Sequence, residues 1–212
     1  MRQTQRPTGE RANHWDSVYA TRGARGVSWH QADPAISLEL LETLRVPPDA
    51  AVIDVGGGAS SLTRSLLDRG FTDLSVLDVS AVALAEARKT LSDAAQVSWI
   101  HADVLAWRPE RRFDVWHDRA VSHFLIDPRD RENYLQTLLA GIKPGGAVVI
   151  ATFAADGPPV CSGLPVVRYS AAELAEMLGP AFECLETRRE EHTTPAGVVQ
   201  PFTWVAGRIH DG

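Results

Sequence analysis

The segment from Ala51 to Ser60 reads Ala-Val-Ile-Asp-Val-Gly-Gly-Gly-Ala-Ser. A short apolar run that contains Asp54 leads into three consecutive glycines, Gly56, Gly57 and Gly58. Glycines adopt backbone angles that other residues avoid, and they let a ligand approach the main chain closely. A helix beginning near Ser60 would point its free N–H groups at that ligand. The segment therefore predicts the first strand of an open α/β sheet, ending at a ligand-binding crevice.

The glycine loop departs from the fingerprint of dinucleotide-binding proteins. That fingerprint is Gly-x-Gly-x-x-Gly, and Ser61 stands where its third glycine would fall. Asp54, inside the strand end, would repel a pyrophosphate, whereas a carboxylate suits a ligand that carries an ammonium group. An oxidoreductase that binds NAD or another nucleotide remains an alternative, with an incomplete fingerprint.

Three later strands are predicted to carry acidic residues at or near their ends. The segment Leu74 to Ser80 contains Asp78, and Trp99 to Val104 contains Asp103. An acid at the end of the second strand can accept hydrogen bonds from both hydroxyls of a ribose. A further strand, Phe113 to Asp118, ends in the third acid. His117, one residue earlier, is expected to point away from the site, because side chains alternate along a strand.

The remaining segments predict helices between these strands and an antiparallel pair at the end of the chain. We expect a Rossmann-like α/β fold, with a seven-stranded mostly parallel sheet, helices on both faces and an antiparallel terminal hairpin. The predicted helices are Pro34 to Leu44, Ser60 to Arg69, Ala81 to Leu91, Asp130 to Ile142 and Ala171 to Leu178. The predicted fifth strand is Ala147 to Thr152, and the predicted hairpin pairs Phe182 to His192 with Val198 to Arg208.

The Asp-x-Gly-x-Gly pattern, followed in order by the acids at the strand ends, resembles the class I S-adenosylmethionine-dependent methyltransferases. The resemblance covers roughly residues 50 to 155. It implies S-adenosyl-L-methionine as the cofactor, with its methionine part over the glycine loop and its ribose on Asp78. It also implies that Val79 contacts the adenine ring and that Asp103 and Val104 lie beside it. The predicted cofactor-binding residues are Trp29, Asp54, Gly56, Gly57, Gly58, Asp78, Val79, Asp103, Val104 and Asp118.

Other motifs resemble the thiopurine S-methyltransferase-like enzymes, and the resemblance is partial. It rests on the pair Asp118-Arg119, the stretch Pro128 to Tyr134 and the sequence Gly157-Pro158-Pro159. It implies a small-molecule acceptor, either a thiol or another soft nucleophile. In such enzymes a tryptophan in the region of Trp29 lies against the cofactor.

Two residues are candidates for catalysis, Arg119 and His123. Arg119 would provide a cation beside an anionic acceptor or contact the cofactor, and His123 would act as a base or donate to the substrate. The alternatives are a structural ion pair for Arg119 and a structural role for His123. The loop residue Cys161 could meet a soft substrate, although a free thiol without a function is the simpler interpretation.

Two other interpretations keep the cofactor and change the function. The Trp15 region and the glycine loop also resemble lysine methyltransferases that act on folded proteins. A wide acidic mouth would favour that acceptor, and a narrow capped pocket would favour a small molecule. In the other interpretation the domain binds the cofactor without catalysing a reaction.

The composition indicates one globular domain without an evident macromolecular partner. The chain has 212 residues, of which 44% are hydrophobic and 23% charged, and a net charge of −6 gives no overall case for nucleic acid. No apolar run is long enough to cross a membrane, and Met1 to Asn13 has no signal-peptide core. We therefore expect a cytoplasmic monomer. Cys161 and Cys184 give no disulfide framework, and no zinc-ligand spacing is present, so no metal is expected.

The N-terminal region is expected to differ from the rest of the chain. Residues 1–13 are polar and rich in Arg, Thr, Pro and Gly, which predicts a flexible tail before a single methyltransferase domain at 14–212. Within that domain, residues 14–45 would form a cap region. Trp15 and Tyr19 recur at helical spacing, which predicts a short helix that packs on the domain or covers the cofactor as a lid.

Overall fold

The computed structural model of the chain describes residues 8–91 and 95–210. The helices are α1 Thr8–Gly26, α2 Ala35–Thr43, α3 Leu62–Asp68, α4 Ala81–Thr90, α5 Pro128–Gly141 and α6 Ala171–Met177. The strands are β1 Ala51–Val55, β2 Asp73–Asp78, β3 Val97–His101, β4 Phe113–Arg119, β5 Ile142–Phe153, β6 Val160–Cys161, β7 Leu164–Pro165, β8 Phe182–Thr193 and β9 Val199–Ile209.

The described residues form a seven-stranded sheet in the order β3-β2-β1-β4-β5-β9-β8. The five strands from β3 to β5 are parallel, and β9 pairs antiparallel with both β5 and β8. The predicted fold class is confirmed. The strand order reverses between β1 and β4, which creates a crevice at their C-terminal ends, where ligands bind in open α/β sheets.

Two apolar cores cover the two faces of the sheet. One joins α2 and α3 to residues such as Val52 and Val149, and the other joins α5 and α6 to residues such as Trp116 and Val205. Parallel strands that are buried on both faces read as continuous apolar runs, and every residue of β1 is indeed buried. Asp54 therefore lies inside an otherwise apolar strand, which is costly unless the carboxylate has partners.

Three of the helices, α4, α5 and α6, begin at side chains that accept hydrogen bonds from free backbone N–H groups. Ser80 Oγ accepts from Ala83 N at the start of α4, and Asp127 accepts from Arg129 N at the start of α5. Ser170 and Glu173 form a reciprocal capping box at α6. Such caps contribute on the order of 1 kcal/mol each, and the cap at Ser80 also determines where the chain turns after β2.

The first helix begins earlier than the sequence predicts. Residues 8–13 were expected in a flexible tail, but α1 starts at Thr8, and residues 1–7 of that tail lie outside the described residues. The early start has a tertiary cause, because Arg11 on the first turns of α1 forms an ion pair with Asp103. Near its other end α1 is kinked at Gly23, where φ is 65°.

Smaller differences concern single residues and loops. Asp103 lies two residues beyond the end of β3, in a turn rather than at the strand end. The loop after β5 contains a two-residue hairpin, β6–β7, that the glycines and prolines there did not indicate. Cys184 is exposed, beside a shift of register between Cys184 and Glu186. No helix in the described part of the chain is long and apolar enough to span a membrane.

Candidate active site

Two adjoining chambers lie at the C-terminal ends of β1, β2 and β4. Four residues line both chambers: Tyr19, Trp29, Gly56 and Arg119. The first chamber continues along the ends of β1 and β2, and its wall includes Trp15, Val55, Asp78, Val79, Asp103, Val104, Val121, Phe124 and Cys161. The second chamber continues beside the glycine loop, and its wall includes Gln31, Ser37, Asp54, Gly57, Ser60 and His117.

Aromatic side chains from three segments form a roof over the first chamber. The ring of Trp15 lies edge-on to Trp29 and Phe124, with centroids 5.6 and 4.9 Å away. Tyr19, one turn further along α1, lies 6.0 Å from the ring of Trp29. Edge-to-face aromatic pairs add stability beyond the area that they bury. The cap region is thus packed onto the crevice and screens it from solvent.

The end of β2 presents a buried carboxylate to the first chamber. Asp78 Oδ1 accepts from the backbone N of Ser80, at 2.8 Å. Burial, with a smaller contribution from the charges of Asp54 and Asp16, raises the pKa of Asp78 to about 7. Gly58 lies so close that a Cβ at this position would clash with the Asp78 carboxylate. The absence of a side chain at Gly58 keeps this acid accessible to a ligand.

The carboxylate of Asp54 is held beneath the glycine loop. Its Oδ1 lies 2.7 Å from His117 Nδ1, and its Oδ2 accepts from Ser60 Oγ at 3.1 Å. A Cβ at Gly57 would overlap this carboxylate, and a Cβ at Gly56, where φ is 68°, would overlap the side chain of Val121. The loop therefore requires glycine at both positions, for close approach and, at Gly56, for conformation as well.

Asp103 lies at the far end of the first chamber. Asp103 Oδ1 accepts from the backbone N of Leu105 at 3.0 Å, and Oδ2 accepts from Arg11 Nε at 2.8 Å. Val79 and Val104 line the same chamber as apolar surfaces. An acid flanked by two apolar side chains can receive a flat ring that also carries a hydrogen-bond donor.

Arg119 joins the cap region to the last sheet strands. Its Nη1 donates to the backbone O of Trp29 at 2.9 Å, and its Nη2 lies 3.4 Å from Glu190 Oε1. The guanidinium also stacks over the ring of Phe202, 4.3 Å from the centroid. Glu190 balances the positive charge, so Arg119 reaches both chambers as half of a buried ion pair, while its Nε has no hydrogen-bond partner among the described residues.

The structure does not bring Asp118 and His123 to the cavity wall. Asp118 is fully buried on the opposite face of β4, where Tyr134 donates to its Oδ2 at 2.6 Å. His123 is also fully buried, and burial, followed by the charge of Arg119, lowers its pKa to about 3. A neutral, enclosed imidazole is unavailable to a ligand. Residues 119–125 form a strand end and a 3₁₀ turn, Ser122–Phe124.

Several residues at the cavity were missed in the sequence. His117 points toward the site, because the sheet register pairs it with Asp54 and cross-strand partners face the same side. Arg11 and Ser37 also reach the cavity, from α1 and α2. The pairing of His117 with Asp54 could have been found by aligning the two strands at their C-terminal ends, whereas the contact that Arg11 makes has no local signal.

The described residues fit S-adenosyl-L-methionine, as three observations show. A buried acid at the end of β2 can accept from ribose hydroxyls, and the apolar surface of Val79 beside Asp103 can receive an adenine. The second chamber places Asp54 beside a loop in which side chains would clash, which suits an ammonium group held close to the main chain. Within the described ranges, no group of three or more His, Cys, Asp or Glu side chains could hold a metal ion.

Comparisons with known proteins agree with this geometry. A family profile described as a methyltransferase domain matches residues 52–146. The trans-aconitate 2-methyltransferase of Azoarcus sp. (strain BH72) is 37% identical over 109 residues, which are 50% of this chain and 41% of that protein. Thiocyanate methyltransferase 1 of Arabidopsis thaliana is 26% identical over 175 residues, or 79% of this chain and 73% of that protein.

A solved structure extends the likeness over the whole fold. The Burkholderia thailandensis 1,6-didemethyltoxoflavin-N1-methyltransferase, crystallised with 1,6-didemethyltoxoflavin and S-adenosylhomocysteine, superposes with a TM-score of 0.73. The match covers 100% of this chain and 94% of that one, at 21% sequence identity. At this identity the likeness concerns the fold. The trans-aconitate relative is matched over less than half of its own length, so its reaction does not transfer directly.

Proposed function

Because the chain belongs to the class I S-adenosylmethionine-dependent methyltransferases, we propose that it transfers the methyl group of S-adenosyl-L-methionine to a small-molecule acceptor. The acceptor would be a thiol or another soft nucleophile. The observation that carries the proposal is the roofed first chamber, which adjoins the ends of β1 and β4 and is lined by aromatic side chains.

The aromatic roof favours a small-molecule acceptor rather than a lysine of a folded protein. Trp15, Trp29 and Phe124 contact one another edge-on above the chamber, and α1 lies across its far end through Arg11. A lysine on a protein surface needs an open mouth, and an acidic rim would favour its cation. A small, partly apolar molecule instead fits a chamber with aromatic walls, where most of its surface would be buried.

The described lining of the first chamber supports an acceptor that needs no general base. Within that lining no histidine is present, and its carboxylates, Asp78 and Asp103, are assigned to the cofactor. His123, the base expected from the sequence, is enclosed elsewhere. An alcohol or a protonated amine must lose a proton as it reacts. A thiol of low pKa can arrive as its anion and then needs no base.

The chain's own thiol in this chamber would not compete for the methyl group. Burial raises the pKa of Cys161 to about 11, despite the nearby guanidinium of Arg119. The thiolate is the reactive form of cysteine, so Cys161 remains inert at neutral pH. Its sulfur then serves as a soft, uncharged part of the wall.

When bound, the cofactor supplies a methyl group that is already activated on a sulfonium. The residues of this chain have the tasks of binding, orientation and water exclusion. Asp78 would accept from the ribose hydroxyls, Asp54 would face the ammonium group, and Asp103 would lie beside the adenine. Arg119 would hold Trp29 at the junction of the two chambers, and α1 would exclude water.

We further propose that the enzyme works as a monomer without a nucleic-acid partner.

A calorimetric titration tests the cofactor first. S-Adenosylhomocysteine should bind the purified protein with micromolar affinity, NAD should not bind, and Asp78→Ala should abolish binding. Methyl transfer is then followed by mass spectrometry with panels of thiols, carboxylates, amines and a lysine-containing folded protein. Transfer to thiols supports the proposal in full, and transfer to the folded protein would overturn the small acceptor. Binding of NAD without S-adenosylhomocysteine would overturn the methyltransferase itself.

A further inference from the structure

Three buried side chains form a hydrogen-bonded chain beneath the glycine loop. Ser37 Oγ on α2 lies 3.0 Å from His117 Nε2 on β4, and His117 Nδ1 lies 2.7 Å from Asp54 Oδ1 on β1. The relative exposures of Ser37, His117 and Asp54 are 1%, 3% and 4%. All three also line the second chamber. A polar chain in the middle of an apolar sheet face is costly unless every member is satisfied.

The geometry assigns which atoms donate and which accept in this series of hydrogen bonds. An ionised carboxylate only accepts, so the hydrogen of His117 on Nδ1 must point at Asp54. The hydroxyl of Ser37 can then donate to Nε2. The imidazole is thereby held at both ring nitrogens, in one tautomer and one orientation. The other oxygen of Asp54 accepts from Ser60 Oγ at 3.1 Å, so the carboxylate is fixed at both oxygens.

The pairing of β1 with β4 fixes His117 beside Asp54. Asp54 and His117 are direct partners in the parallel register of β1 and β4, and on its other side the imidazole packs 6.4 Å from the ring of Trp204. Gly57 lets the carboxylate lie against the loop, where a Cβ would overlap it. The acid cannot turn away without losing His117 or colliding with the loop.

We propose that Ser37 and His117 are positioning residues that hold Asp54 in the orientation that receives the ammonium group of the cofactor. The inference rests on the proposed function, because it concerns the same cofactor. The inference predicts that the Ser37–His117 pair strengthens the binding only of ligands that carry the amino-acid tail. Ligands that share only the nucleoside end bind to Asp78, Val79 and Asp103 in the first chamber and do not depend on the pair.

Two ligands separate this role from a purely structural one. S-Adenosylhomocysteine carries the amino-acid tail, and 5′-methylthioadenosine has the same nucleoside and thioether without it. In His117→Phe the affinity for S-adenosylhomocysteine should fall by about tenfold or more, since a charge-assisted hydrogen bond is lost. The affinity for 5′-methylthioadenosine should stay within about twofold of the wild type.

A conservative variant and a double variant complete the test. In His117→Asn the amide N can replace Nδ1 as the donor to Asp54, so most of the affinity for S-adenosylhomocysteine should return. Asp54→Asn should lose that affinity as well, and adding His117→Phe should cost little more, because the two residues act as one unit. Where His117→Phe fails to fold, Ser37→Ala provides the same two-ligand comparison with an expected loss of about threefold.

The outcomes distinguish failure of the inference from failure of the proposed function. Equal losses of affinity for both ligands would show that Ser37, His117 and Asp54 have only a structural role, and would refute the inference. Unchanged affinity for S-adenosylhomocysteine in His117→Phe would also refute it. Additive losses in the double variant would also refute it. If the wild type binds neither ligand, the methyltransferase function fails instead.

Discussion

Arg11 Nε lies 2.8 Å from Asp103 Oδ2, and this ion pair fastens the first helix across one end of the first chamber of the candidate active site. A second contact acts at the next turns of α1, where Asp16 Oδ1 accepts from Ser80 Oγ at 2.7 Å and from the backbone N of Val82 at 3.1 Å. The first helix is thus attached to Asp103, which lines the first chamber, and to Ser80, whose backbone N donates to Asp78 in the same chamber. Cofactor binding and docking of α1 should therefore be coupled.

We expect Arg11→Ala to weaken binding of S-adenosylhomocysteine by about tenfold, mainly through faster dissociation. The Arg11 side chain is 23% exposed and that of Asp103 only 4%, so removing the cation leaves a largely buried carboxylate without its partner. Stopped-flow fluorescence from Trp15 and Trp29 can follow the release of the ligand. Deletion of residues 1–20 should weaken binding at least as much.

Arg25→Ala is the matched control for this experiment. Arg25 lies in the last turn of the same helix and is exposed, so its removal changes the charge of α1 without touching Asp103. Its affinity and dissociation rate should equal those of the wild type. Equal rates for Arg11→Ala and Arg25→Ala would refute the role of α1 as a cofactor-linked cover.

Asp78→Asn should stabilise the free protein at alkaline pH while it abolishes cofactor binding. Burial raises the pKa of Asp78 from 3.8 to about 7 in the fold. The contribution of this group to stability is therefore greatest below about pH 4 and is lost as the pH rises through about 7, because the fold must then hold a buried anion. Asparagine has no such penalty, so the gain at pH 8 should be on the order of 2–4 kcal/mol.

The measurement is the difference in free energy of unfolding between Asp78→Asn and the wild type at pH 5 and at pH 8, without ligand. Comparing the two proteins at each pH cancels most other titrating groups. The difference should be larger at pH 8. With S-adenosylhomocysteine present, only the wild type should gain stability. A difference that is the same at both pH values would contradict the raised pKa of Asp78.

The fold could be predicted from the sequence because its signals are local. The run before Asp54, the glycines after it and the acid of Asp78 each lie within a few residues of a strand end, and the strands of an open α/β sheet bring such ends together. The terminal hairpin of β8 and β9 was equally visible from its alternating side chains. These predictions needed no knowledge of which helix packs where.

The side-chain partners in the site could not be predicted in the same way. Alternation along β4 places His117 and Asp118 on opposite faces, but only the register with β1 decides which of them faces Asp54. The sequence predicted that Asp118 contacts the cofactor, whereas in the structure His117 lines the second chamber and Asp118 lines neither chamber. The contact of Arg11 with Asp103 spans 92 residues. The spacing of Trp15 and Tyr19 predicts that the first helix packs on the domain, but it does not indicate which residue Arg11 contacts.

Tyr134→Phe tests the structural role of Asp118. Tyr134 donates to Asp118 Oδ2 at 2.6 Å and accepts from Trp116 Nε1 at 3.0 Å, all within the core between β4 and α5. Burial raises the pKa of Asp118 to about 6, so at pH 8 its carboxylate is ionised and depends on its donors. Loss of the hydroxyl should reduce the free energy of unfolding by about 1–3 kcal/mol.

The affinity of Tyr134→Phe for S-adenosylhomocysteine should stay within about twofold of the wild type, measured well below the melting temperature. Asp118 would then support β4 from the opposite face without contacting the cofactor. Denaturant unfolding and calorimetric titration of the same preparation give both quantities. Weaker binding of the ligand without a loss of stability would contradict this structural role and would indicate that Asp118 acts in cofactor binding.

The two cysteines should differ in reactivity by at least about tenfold. Cys184 is exposed, whereas Cys161 is buried in the wall of the first chamber, where burial raises its pKa to about 11. With a chromogenic disulfide at pH 7.5, one thiol should react quickly and the other slowly. Cys184→Ser should remove the fast phase and Cys161→Ser the slow one. A bound thiol acceptor should slow the reaction of Cys161 further, since it would occupy the same chamber. A fast Cys161 that no acceptor protects would contradict both its burial in the chamber and the proposed location of the acceptor.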